Sequence, residues 1–231
     1  MDYCIKEGYI SNLEPKRYNA GRRSQNLSRQ TWQPDVYTSA LTLAKKLNAE
    51  YVIDLGSGSG EKLPPFEAEF KLITVDYGNQ AVLEKVLKDF TFISYDLNIG
   101  LPDILPQILK KSVIIFSDCI EHLTTPEHIL RDLKIASEYA LAIIISTPDR
   151  DLVRGKFDFG PPANKLHVRE WNLDEFGALL IRFQFPNFII GHTREHNLTK
   201  QRKTIMAVIE PNGNTSRIDI NDLHNFTQLT Q

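Results

Sequence analysis

Val52-Ile53-Asp54-Leu55-Gly56-Ser57-Gly58-Ser59-Gly60 is an apolar, β-branched run that ends in an acid and then in glycines at every second position. Tyr51 to Leu55 is short and closed by glycine, so it reads as a strand buried on both faces, as in a parallel sheet. Gly56, Gly58 and Gly60 let the chain bend sharply and leave room for a ligand against the backbone. A dinucleotide-binding fingerprint puts its third glycine one place later, where Glu61 stands in this chain.

Outward from this segment, apolar runs alternate with helical patterns. Upstream, Val36, Ala40, Leu41, Leu43, Ala44 and Leu47 fall on one helical face opened by Pro34 and Asp35. Downstream, strands are expected at 71–76, 91–95, 113–116, 141–146, 188–191 and 204–209, with helices near 60–69, 79–88 and after Thr125-Pro126. Asn172 and Glu175 form a plausible capping box, with Trp171 and Phe176 placed as a hydrophobic staple. Alternation of this kind predicts a doubly wound, Rossmann-like α/β sheet. Two closing strands without an intervening helix predict that the last of seven strands runs antiparallel in a mostly parallel sheet. Residues 1–34 read as an N-terminal arm, 35–210 as the domain, 148–171 as a long loop that forms a lid over the acceptor end of the site, and 211–231 as a loose tail.

The 231 residues suit one α/β domain with a sizeable core. A formal charge of −2 gives no general attraction to nucleic acid or to anionic membranes. Basic residues cluster at Lys16, Arg17, Arg22 and Arg23 and at Lys200, Arg202 and Lys203, where a solvated surface is the plainer reading. Cys4 and Cys119 cannot build a disulfide framework, and no metal-ligand set is evident in the sequence. No signal peptide and no run approaching a membrane span is found, so a cytoplasmic location is expected.

Acids stand at the ends of the first four strands: Asp54, Asp76, Asp96 and Asp118. Carboxyl ends of parallel strands converge on one crevice, where ligands of such sheets bind. An adenosine-bearing ligand offers donors at separated points, and a cationic tail favours a negative pocket. The pattern Asp-x-Gly-x-Gly-x-Gly at 54–60 resembles motif I of class I S-adenosylmethionine (SAM)-dependent methyltransferases. The resemblance covers about residues 35–210 and implies SAM as cofactor. It implies that Gly56, Gly58 and Gly60 pass under the methionine portion, with Asp54 toward its amino group. Asp76 would accept from the ribose hydroxyls, Tyr77 would lie against adenine, and Asp96 with the Leu97 amide would read the adenine edge. Ser117 and Asp118 would stand nearest the transferred methyl.

Ser117-Asp118-Cys119-Ile120-Glu121-His122-Leu123, followed by Pro126, resembles the DxxEHL-type signature of a small-molecule subgroup. Pro161 to Asn164 and His167 to Trp171 resemble a segment that follows the fifth strand there. Trp32 to Tyr37 resembles the opening segment of some glycan-associated members. Ser57 departs from the cysteine common at that place, and Glu61-Lys62 is unusual. The resemblance implies methyl transfer to a small-molecule or glycan-intermediate acceptor, at oxygen, with no nucleic acid as partner. His167 and His122 are the expected catalytic residues, and Arg150, Arg154 and Arg169 could clamp an acidic acceptor. A non-catalytic SAM- or nucleotide-binding module and a nicotinamide-dependent oxidoreductase remain the alternatives. The glycine spacing opposes the second.

Overall fold

The computed structural model describes residues 3–16, 31–211 and 217–228, so Arg17, Arg22 and Arg23 lie outside the described residues. In chain order the elements are α1 (Pro34–Lys46), β1 (Tyr51–Leu55), α2 (Pro64–Glu67), β2 (Lys71–Asp76), α3 (Gln80–Leu83), β3 (Thr91–Ser94), α4 (Pro106–Leu109) and β4 (Ser112–Ser117). Then follow α5 (Pro126–Ala136), β5 (Ala142–Pro148), α6 (Arg150–Arg154), α7 (Leu173–Arg182), β6 (Phe188–Thr193), β7 (Thr204–Ile209) and β8 (Thr227–Gln228).

The strands form one sheet in the order β3-β2-β1-β4-β5-β7-β6-β8. β3, β2, β1, β4 and β5 pair in parallel. β7 runs antiparallel between β5 and β6, as two strands joined without a crossover helix must. The sheet has eight strands rather than seven, because the short β8 pairs antiparallel with β6 at Gly191 and His192. The expected loose tail is therefore partly packed: Ile218 and Leu223 are buried, and Asn225 donates to Asp35 at 3.1 Å. No period signals this docking in the sequence, because the contacts are single side chains.

Every residue of β4 and β7 is buried, and apolar clusters cover the sheet on both faces. α2 and α3 are single turns, shorter than the expected helices near 60–69 and 79–88. At α7 the capping box is present, with Asn172 accepting from the Glu175 amide at 2.9 Å. Trp171 and Phe176 meet edge to face, their centroids 5.9 Å apart. No helix among the described residues is long and apolar enough to cross a membrane.

Residues 3–16 form a strap along the 148–171 loop. Ile10 N–H donates to Phe159 O, Asn12 N–H to Val168 O, and Lys16 N–H to Lys165 O, all within 2.7–2.8 Å. Trp171 pins both segments: its indole N–H donates to Tyr3 O at 2.9 Å while its ring is fully buried. Trp171→Ala should cost about 3–5 kcal/mol, by cavity formation and an unpaired carbonyl. Urea unfolding followed by circular dichroism measures it.

Candidate functional site

A cleft of about 930 Å³ opens over the carboxyl ends of β1, β2, β3 and β4. Every glycine and acid expected from the sequence lines it, together with Tyr77, Leu97, Ser117, His122 and His167. The parallel register explains this convergence, since Asp54, Asp76 and Ser117 all stand at strand ends that face the same way.

The turn after β1 is held from below and from the side. Gly56 has φ +76°, and a Cβ there would meet the Cys119 sulfur at 2.5 Å. The space left by this glycine is thus filled by Cys119, whereas the sequence alone suggested room for a ligand. Gly58 N–H donates to Asp76 Oδ2 at 2.7 Å, tying the glycine turn to the end of β2. Asn79 donates to Asp76 Oδ1 at 2.6 Å. The Tyr77 backbone amide adds a third donor, and a carboxylate has about four lone-pair sites, so acceptor capacity remains for a ligand. Burial raises the Asp76 carboxyl, and these hydrogen bonds offset part of the rise.

Asp54 is fully buried, and the Tyr37 hydroxyl donates to its two oxygens at 3.2 and 3.3 Å. Burial pushes its carboxyl up to about 7, against the pull of Lys62 and the Tyr37 hydroxyl. Lys62 also sits 4.1 Å above the Tyr37 ring. Ser57 Oγ is buried at the same turn with no hydrogen-bond partner among the described residues. At β3, Asp96 Oδ1 accepts from both nitrogens of Asn98 at 2.9 Å, and Leu97 is buried behind it. Tyr77 is 66% exposed at the rim.

Beyond β4 the chain turns at Asp118, in the left-handed region at φ +55°. Gln33 governs this corner. Its amide donates to Asp118 Oδ1 at 2.7 Å, and its oxygen lies 3.1 Å from Ser117 Oγ and 2.6 Å from Ser146 Oγ. One buried side chain thus joins the entrance of α1 to the ends of β4 and β5. Sequence reading placed Gln33 in the arm and gave it no role, and its only signal was the Trp32–Tyr37 resemblance.

The short 3₁₀ turn Ile120–His122 and the 148–171 loop form the other end of the cleft. His122 Nδ1 lies 3.0 Å from Leu166 O, so in the neutral ring this nitrogen carries the proton. Burial and the neighbouring His167 lower the His122 pKa and favour that neutral ring. His167 Nδ1 is 2.6 Å from Glu170 Oε1, and its Nε2 is 2.8 Å from the Asn164 amide. Glu121 is fully buried, and Thr147 Oγ1 donates to its Oε2 at 3.1 Å. Burial first, then the charge of Asp118, push Glu121 well above the ordinary carboxyl range. One ligand atom each of Glu121, His122 and His167 lie within 4.8 Å of one another, a grouping that the sequence reading did not anticipate.

The three arginines that could have clamped an acceptor are engaged with other partners. Arg150 is buried, with a two-pronged pair to Glu175 at 2.6 and 2.9 Å. Arg169 donates to Leu123 O and Thr124 O at 3.0 and 3.1 Å, bracing the turn after β4. Arg154 lines the cleft but pairs with Asp158 at 3.1 Å.

No protein-family model matches this sequence, and no curated protein matches it. Solved structures do share its fold. The plantazolicin methyltransferase BamL, in complex with a desmethyl analogue and S-adenosylhomocysteine (SAH), superposes with TM-score 0.58 at 14% identity, over 83% of this chain and 89% of that one. The methyltransferase domain of bacterial CtHen1-C gives 0.54 at 20% identity, over 78% of this chain and 98% of that one. Human N-acetylserotonin methyltransferase with SAM gives 0.56 at 17% identity, over 90% and 64%. The likeness is one of fold: a sheet on which those proteins carry SAM or methyltransferase sites.

Asp54 makes apoprotein stability depend on pH in a defined direction. Its folded pKa of about 7 exceeds the ordinary 3.8, so the unfolded chain ionises first as pH rises between them. Stability from this group is fully present below 3.8, falls across that window, and is lost above 7. Asp54→Asn should therefore stabilise the apoprotein at pH 8 by roughly 2–4 kcal/mol and leave it nearly unchanged near pH 4. Urea titrations at the two pH values measure the difference.

Proposed function

We propose that this protein transfers a methyl group from SAM to a hydroxyl of a small-molecule or sugar-bearing acceptor, as a member of the small-molecule subgroup with a DxxEHL-type motif. The observation that carries this is the set of strand-end acids and glycine turn lining one cleft. The residues fit the cofactor chemically. Asp54 is a buried carboxyl that accepts from the Tyr37 hydroxyl and feels the pull of Lys62, and the ammonium of SAM would be a further partner for it. Ser57 Oγ lacks a partner that a bound polar group would supply. In this reading Asp76 accepts from the ribose hydroxyls, Asp96 Oδ2 and the Leu97 amide read the adenine edge, and Tyr77, exposed at the rim, covers the ring.

SAM supplies a methyl group already activated by a sulfonium, so the protein's tasks are alignment and exclusion of water. The Gly58–Asp76 hydrogen bond and the Gln33 bridge fix the cleft wall before any ligand arrives. His122 and His167 stand at the acceptor end and act on its hydroxyl, each with Nδ1 already committed. Residues 35–210 form the catalytic domain in this reading, with 148–171 bounding the acceptor.

Isothermal titration calorimetry with SAM, SAH, NAD and NADP tests the cofactor assignment. SAM and SAH should bind and the nicotinamide nucleotides should not. The reverse result rejects methyl transfer. Asp76→Ala should weaken SAM binding by about 1–3 kcal/mol, with unchanged affinity removing Asp76 as the ribose acceptor. Labelled SAM presented to acceptor pools then separates an enzyme from a module that binds without turnover.

A further inference from the structure

We propose that Glu121, His122 and His167 form a divalent-metal site at the acceptor end of the cleft. The tautomers are the first argument. His122 Nδ1 faces the Leu166 carbonyl, which can only accept, so Nε2 keeps its lone pair. His167 Nδ1 faces the Glu170 carboxylate at 2.6 Å, which likewise puts the lone pair on Nε2. A carboxylate or carbonyl behind each ring is the arrangement that orients metal-binding histidines. The second argument is an orphan. Glu121 is fully buried, and its Oε1 accepts from no donor among the described residues while the Asp118 carboxylate stands beside it, a costly state for a carboxyl. A cation between it and the two rings removes that cost.

The geometry is close to what an ion needs. Ligand atoms of the three residues lie within 4.8 Å of one another, and bonds of about 2.0–2.2 Å place neighbouring ligands roughly 3–4 Å apart. About 1 Å of side-chain movement closes the difference. One obstacle is visible and cheap to move: Asn164, exposed on the loop, donates to His167 Nε2 at 2.8 Å. Two imidazoles and a carboxylate suit Mn²⁺, Fe²⁺, Co²⁺ or Zn²⁺, and leave coordination positions open.

Its use in catalysis rests on the methyl-transfer reading, whereas binding of the ion does not. An open position takes the acceptor hydroxyl and lowers its pKa. The O–H bond breaks and the proton leaves to solvent. The oxygen's electron pair forms the new C–O bond, while the S–CH₃ bond breaks and its pair stays on sulfur. The ion also ties the turn after β4 to the 148–171 loop.

The test uses the full chain freed of metal with EDTA, then titrated with Mn²⁺ followed by electron paramagnetic resonance, and with Zn²⁺ by calorimetry. A single ion per chain should bind, and Glu121→Gln or His167→Gln should weaken it on the order of 10–100-fold or more. Asn164→Ala removes the competing amide and should tighten binding, which keeps the test informative if the ligand variants fold poorly by circular dichroism. Equal uptake by wild type and the Glu121→Gln/His167→Gln double variant, or no uptake at all, overturns the site. SAM titrated in parallel under EDTA separates the two ideas. SAM binding without metal uptake rejects the ion alone, and metal uptake without SAM binding rejects the methyl-transfer reading alone.

Discussion

Negative charge held out of water is the constraint around which this cleft is arranged. Asp54 and Glu121 are fully buried, Asp76 is largely so, and Asp118 faces the same space. Burial raises Asp54, Asp76 and Glu121 above their ordinary range, so each is costlier to ionise here than in water and a nearby cation would offset that cost. Proteins tolerate such groups when they are paired or when their strain is used. Neutral partners do part of the work here: the Tyr37 hydroxyl, the Gly58 amide and the Gln33 amide. What they leave has two centres: Asp54 at the glycine turn, which burial still raises against the pull of Lys62, and Glu121 beside the histidines. A sulfonium-bearing amino acid at the first and a divalent ion near the second would each meet a distinct part of that deficit.

The sheet supplies the positions and the loops supply the chemistry. Parallel pairing of β1 with β2 and β4 brings Asp54, Asp76 and Ser117 to one edge without any contact between their side chains being required. The remaining parts come from segments distant in the chain. Gln33 precedes α1, Glu121 and His122 follow β4, and His167 lies beyond β5. Arg169 joins the last two groups through its hydrogen bonds to Leu123 O and Thr124 O, and its cation stacks on Tyr3 of the strap at 4.0 Å. Its role is internal geometry.

The glycine-and-acid half of the cleft was legible in the sequence because it obeys local rules. A β-branched run, an acid and spaced glycines are contiguous, and the strand period places the next acids. The capping box at Asn172 is equally local, and the structure reproduces it. Three things escaped. The single-turn α2 and α3 hold too few residues for a helical period to define their ends. β8 pairs through only Gly191 and His192, below any sequence threshold. The Glu121–His122–His167 grouping depends on how the 148–171 loop folds back, which no spacing encodes. The internal roles of Arg150 and Arg169, which could have clamped an acceptor, were hidden for the same reason: only the fold shows the strap and loop that bury them.

That strap changes what the 148–171 loop can be. A mobile lid needs few buried contacts and exposed backbone hydrogen bonds. Residues 164–171 instead give backbone atoms to the strap at Lys165 and Val168, to Glu121 O through Val168 N–H, and to the Tyr9 hydroxyl through Glu170 N–H. Swinging this stretch away would expose Trp171 and strip Arg150 of its Glu170 carbonyl. The segment around 153–159 differs, with Val153, Phe157 and Phe159 all substantially exposed. In the methyl-transfer reading, the wall carrying His167 would be a fixed reference for the acceptor, and adjustment to different acceptors would fall to the exposed rim. Such a site would select by preformed complementarity at the reacting end, where a displacement of an ångström is costly, and tolerate variation only at its mouth.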